Sequence, residues 1–172
     1  TGTVVVEVPH DMSEEEHEDC IQVGDFRTHT QDGWGAAADV SNAGEYRDAH
    51  FAEAFPAGLK IGAAAAGVSG NTATFTTAAA IEAFLPQVGT SASLAHDHTD
   101  PTSTEAGELA GQVVALTLNV GFDLFDPAFS ASTTPLNTLV IDDEDNVCNG
   151  KTVQEVLDLA NRILAGEATG FT

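Results

Sequence analysis

The sequence predicts an α+β fold: a single compact domain with a small mixed sheet packed by several helices, plus a detached N-terminal β-strand. Three observations predict it. Short runs with strand-like alternation are interleaved with segments of helical spacing. The chain of 172 residues, 42% of them hydrophobic, can bury one core and shows no internal repeat. An apolar run at the start is separated from everything else by ten residues, all but Met12 polar. The expected organisation is a strand over 1–9, an acidic linker over 10–19 and a globular domain over 20–172.

Thr3, Val4, Val5, Val6, Glu7 and Val8 form the first strand, which Pro9 stops because it lacks an N–H for a ladder. His10 to Asp19, with the run Glu14, Glu15 and Glu16, has almost nothing to bury and reads as an extended spacer. Ile21, Val23, Phe26 and Thr28 alternate with polar residues, which predicts a strand ending in a turn at Asp32-Gly33. Tyr46, Ala49, Phe51 and Phe55 predict a helix that ends before Pro56. The stretches "GLKIGA" and "NTATFT" predict two short strands around the turn at Gly67 to Gly70. "TTAAAIEAFLP" predicts a short helix with a Thr cap and a Pro stop.

Ser93 to Gly107 is expected to be a loop. Leu109, Val113, Leu116 and Val120 then recur at helical spacing. Gly107, Gly111 and Ala115 beside them imply close packing on most sides. "DLFDPAFSASTTP" reads as a loop, "LNTLVI" as a strand and "DDEDNVCNG" as an acidic loop. The last helix carries one apolar stripe through Val153, Val156, Leu157, Ala160, Ile163 and Leu164. Thr152 and Glu155 form its capping box, and Gly166 stops it.

Five Lys plus Arg face 27 Asp plus Glu, for a formal net charge of -22. Such a surface repels nucleic acid and anionic lipid, and no run of about 20 apolar residues is present for membrane insertion. It attracts cations, calcium above all, and it also keeps a protein soluble at high salt. The absence of an initiator Met and of a signal-like run suggests a signal peptide already removed, hence an extracellular, secreted protein. In that setting Cys20 and Cys148 are most simply one disulfide, which would contribute roughly 4–5 kcal/mol in the chain-entropy model. Two unlinked buried thiols are the alternative.

Candidate chemistry is sparse. "GKT" at Gly150 to Thr152 lacks the Gly that a phosphate loop needs at Asp145, so the capping box explains it. His96, Asp97, His98 and Asp100 hold a His-x-His pair with carboxylates nearby, a candidate metal site in a polar loop. Asp142, Asp143, Glu144, Asp145 and Asn146 place five oxygen side chains in a row and suit a hard cation such as calcium. Val147 and Val153 exclude an EF-hand. No GxSxG and no primed Cys/His pair appear, so no catalytic residues are assigned. Trp34 and Tyr46 are a thin supply for a sugar platform, and Trp34 reads as a core or corner residue.

The stretches "FRTHTQDGWG", "HFAEAFPAGLKIG", "AAIEAFLPQVGTSASLAHDHTDPTSTEAGELAGQVVALTLNVGFD" and "CNGKTVQEVLDLANRILAG" resemble a family of small secreted bacterial proteins. That family shows a Thr-Gln-Gly-Gly-Trp-Gly stretch and a Leu-Ala-Gly-Gln-Val helix; Asp32 stands where its usual Gly would be. The resemblance covers Phe26 to Gly166 and implies no catalytic residues. In architecture, the strand and its spacer resemble subunits of extracellular fibrils assembled by donor-strand addition.

An apolar strand invites pairing with a sheet edge. Thr3 to Val8 can fold back onto its own sheet or enter a neighbour's, since ten extended residues span ~33–36 Å. Entry into the next subunit is a heterologous contact that propagates as a filament. The expected function is therefore a structural subunit of a secreted fibril, a homopolymer with calcium between acidic loops and glycans on Thr/Ser loops such as "SASTTP". The alternatives are a monomeric secreted carbohydrate- or ligand-binding module, and a metal-dependent hydrolase using His96 and His98.

Overall fold

The computed structural model describes residues 21–65 and 67–167. The strand expected at Thr3 to Val8, the spacer over 10–19 and Cys20 lie outside the described residues. The described chain is a mixed α+β domain. In order it forms α1 (Gln31–Gly35), α2 (Ala43–Ala54), β1 (Leu59–Gly62), β2 (Thr72–Phe75), α3 (Ala78–Phe84), β3 (His98–Thr99), α4 (Gly107–Phe125) and α5 (Val153–Ala165). The sheet runs β1-β2-β3. β1 and β2 are antiparallel, with Leu59 opposite Phe75 and Gly62 opposite Thr72. β3 lies parallel to β2, with His98 opposite Ala73.

The helix starts follow local chemistry. Asn42 accepts the Glu45 N–H at the start of α2 and Thr77 accepts that of Ala80 at the start of α3. Thr152 and Glu155 make the expected capping box of α5, and Gly166 ends it in the left-handed conformation at φ 88°. The core is built from Trp34, Phe51, Leu59, Ile61, Phe75, Ile81, Phe84, Leu118, Phe122 and Leu164, all buried. α4 is indeed packed on most sides. Its deepest residues are Ala110, Val114, Leu118 and Phe122, however, and Leu109 and Leu116 of the expected stripe are only half-buried.

Two expected strands are absent. Residues 21–28 form a turn and an irregular segment, not a strand. The reason lies in where its backbone hydrogen bonds go. Arg27 N–H donates to Ser130 Oγ at 3.1 Å, and His29 N–H donates to Asn119 Oδ1 at 2.9 Å. Side chains thus satisfy groups that a strand would have paired with a ladder, and Val23 is left fully exposed. The turn expected at Asp32-Gly33 is the interior of α1, because Thr30 Oγ1 accepts the Gly33 N–H and caps a helix there.

"LNTLVI" is likewise not a strand. Leu136–Thr138 is a 3-10 turn, followed by a single bridge between Val140 and Thr152. Its partner segment enters α5 at Val153, which leaves no room for a ladder. Conversely, the loop expected over 93–107 contains β3.

Candidate functional site

Both edges of the small sheet carry groups with something to do. At one edge is β1. Ala63 N–H donates to Asn71 C=O at 2.9 Å just beyond the strand. Amides alternate in direction along an antiparallel ladder, so Leu59 and Ile61 face β2 while Lys60 and Gly62 face outward. Asn161 of α5 accepts the outward Gly62 N–H at 2.8 Å. The outward N–H and C=O of Lys60 have no partner among the described residues, and Lys60 is exposed.

The other edge is β3. Two aspartates fasten it to β2. Asp97 Oδ1 accepts the Thr72 N–H at 2.9 Å, and Asp100 accepts both the Thr76 N–H and the Thr76 hydroxyl at 2.6 Å. The Thr76 contacts hold the Asp100 carboxyl below the usual carboxylate range. In the same segment, the rings of His96 and His98 lie 4.1 Å apart at an interplanar angle of 37°. Glu105, two residues before α4, turns its carboxylate toward them. Each of its oxygens is 3.3 Å from His98 Nε2. Its carboxyl is pushed down to about 2, first by the Ala95 N–H that donates to it and further by its own backbone N–H and by His98. It is ionised at neutral pH.

The sequence singled out His96, Asp97, His98 and Asp100 and missed Glu105. The structure joins the two histidines to Glu105 and assigns Asp97 and Asp100 to the sheet. A carboxylate placed just ahead of a helix and close to a His-x-His pair is the signal that was available. Among the described residues, His96, His98 and Glu105 are the group of three whose ligand atoms lie within 4.8 Å of one another.

The acidic loop does not gather in this way. Asp143 Oδ1 accepts the Asp145 N–H, and Asn146 Oδ1 accepts the Cys148 N–H. These side chains close local turns, and Asp142, Glu144 and Asp145 join no such three-residue group among the described residues. Cys148 is a free thiol among the described residues, its expected partner Cys20 being outside them. Trp34 is fully buried and offers no sugar platform. Arg27 lies 4.8 Å over the ring of Tyr46. In "SASTTP", Ser130 is buried while Thr133 and Thr134 are exposed. No helix among the described residues is long and apolar enough to cross a membrane. Compared with family models, curated proteins and solved structures, the chain matches none.

Proposed function

We propose that this chain is a structural, non-catalytic subunit of a secreted extracellular fibril. The strand Thr3 to Val8 of one subunit adds to the β1 edge of the next, and the subunits run head to tail. One observation carries the reading. Leu59, Ile61, Ala73 and Phe75 of the sheet are buried, while the outward amide of Lys60 has no partner among the described residues. A sheet edge with an outward amide can receive an added strand.

Charge favours the same pairing. Lys60 is one of five basic residues in a chain of net charge -22, and the strand and spacer carry Glu7 and the run Glu14 to Glu16. Gly62 is already capped by Asn161, so the added strand pairs mainly at and before Lys60. Calcium on the acidic surface reduces repulsion between subunits that screening alone relieves only beyond a Debye length of ~8 Å. Glycans on this protein would occupy Thr133 and Thr134.

Electron microscopy of the full chain, with and without calcium, tests the proposal. Filaments are expected from the full chain. Deletion of Thr1 to Pro9, or Lys60→Pro at the edge position whose N–H does not face β2, is expected to abolish filaments and leave a folded monomer by circular dichroism. A full chain that stays monomeric at high concentration with calcium, or filaments that survive the deletion, would overturn it.

A further inference from the structure

We propose that His96, His98 and Glu105 bind one divalent transition-metal ion of the zinc class at the β3 edge, with water completing an exposed coordination sphere. The three ligand atoms lie within 4.8 Å of one another. Ligands around a tetrahedral zinc, with bonds of about 2.0–2.2 Å, are themselves roughly 3.4 Å apart. The 3.3 Å between His98 Nε2 and Glu105 is already that spacing. Closing the remaining gap takes a small rotation of His96, which is exposed and free to make it.

The chemistry of the donors selects the ion. Two imidazoles with one carboxylate suit zinc, nickel, copper or iron(II), whereas calcium takes six to eight oxygens. In the row Asp142 to Asn146, the oxygens of Asp143 and Asn146 are spent on local turns. A divalent ion also explains why two rings sit 4.1 Å apart beside a carboxylate, since it draws three electron-rich donors to one point.

The support around the ligands is built. His98 is paired in register with Ala73, and its side chain is only 13% exposed. Asp97 and Asp100 pin the strand on either side through the backbone amides of Thr72, at the start of β2, and Thr76, just after its end. The Ala95 N–H orients the Glu105 carboxylate. Outer contacts of this kind hold ligands in place before the ion arrives.

The test uses the full chain, stripped with chelator and titrated with zinc chloride in a calorimeter, with bound metal counted by mass spectrometry. His96→Ala, His98→Ala and Glu105→Gln are each expected to lose one zinc equivalent or weaken it at least tenfold. Gln retains an oxygen for the Ala95 N–H, so Glu105→Gln keeps the fold. Asp143→Asn with Asp145→Asn is expected to leave zinc binding unchanged, and excess calcium is expected not to compete. Cobalt in place of zinc should give visible absorption that disappears in the same three variants. Equal zinc stoichiometry and affinity in the parent chain and all three variants, or no zinc uptake by the parent chain, would overturn the proposal.

Discussion

The indole Nε1–H of Trp34 donates to Oδ1 of Asn119 across 2.9 Å inside the core. The same oxygen accepts the His29 N–H at 2.9 Å, and Asn119 Nδ2 donates to the His29 carbonyl at 3.0 Å. One side chain of α4 thereby holds the segment before α1 and the first large aromatic of the core. Trp34 in turn packs on Phe122 at 5.2 Å and on Phe129 at 6.3 Å.

Asn119→Ala strands the buried Trp34 indole N–H and two half-buried backbone groups of His29. Each unsatisfied buried group costs about 1–3 kcal/mol, so a loss of about 3–5 kcal/mol is expected. Urea denaturation measures it. Thr117→Ala, two residues away, removes only a half-buried hydroxyl bonded within the helix to Val113 C=O, and should cost about 1 kcal/mol or less.

Arg47 is 0% exposed. Its guanidinium donates to the carbonyls of Trp34 and Ala36, to Asp48 and to Glu82. The two carboxylates are 41% and 40% exposed and regain water if the Arg is lost; the two carbonyls are left at the joint of α1 and α2. Arg47→Met is expected to cost about 3 kcal/mol by thermal denaturation. Arg47→Lys should recover little of it, because one ammonium cannot reproduce a planar fork serving four oxygens.

A side chain at Gly111 has nowhere to go. Its Cβ would lie 1.7 Å from Gln31 Oε1, the oxygen that accepts the Gln87 N–H at 2.9 Å. Gly111→Ala should cost about 1–3 kcal/mol by overpacking. The penalty should shrink in a Gln31→Ala background, and a double-mutant cycle would read that coupling. Strict additivity would contradict the assignment.

Stability should fall with acid in two stages. Burial first, and the Arg27 charge second, lower His29 below 6.5. Arg27 Nε also donates to His29 Nε2 at 3.1 Å, which needs that nitrogen unprotonated. The unfolded chain therefore binds more protons as pH drops below 6.5, and stability is lost down through the folded value. Asp126 is held below 3.8, first by the Ala128 N–H and then by the Tyr46 hydroxyl. Its contribution is full above that value and is lost as pH falls through the folded one. Unfolding free energies measured against pH should lose the first stage in His29→Gln and show a smaller second stage in Asp126→Asn, the remainder coming from carboxylates such as Asp100 and Glu105 that are also held low.

Where a backbone segment satisfies its own hydrogen bonds, the sequence was enough to read it. The caps at Thr77 and Thr152, the stripe of α5, the stop at Gly166 and the hairpin of β1 and β2 follow from residues within a few positions of one another. The alternation of Ile21, Val23, Phe26 and Thr28 misled because the segment's partners, Asn119 and Ser130, lie about 90 and 103 residues away. β3 was hidden because two residues are too few to show a period. Glu105 was hidden for the same kind of reason: its role depends on the turn that brings it back to His98.

By itself, then, the sequence determined the α+β class, the helices other than α1 and the acidic charge, all of which rest on local pattern and composition. The tertiary structure alone decided which side chains meet. It put Arg47 inside and bent Asp143 and Asn146 back onto their own loop. It spent Asp97 and Asp100 on the sheet and joined Glu105 to the two histidines. Periodicity records which face of an element is apolar; it carries no record of which distant face that element will meet.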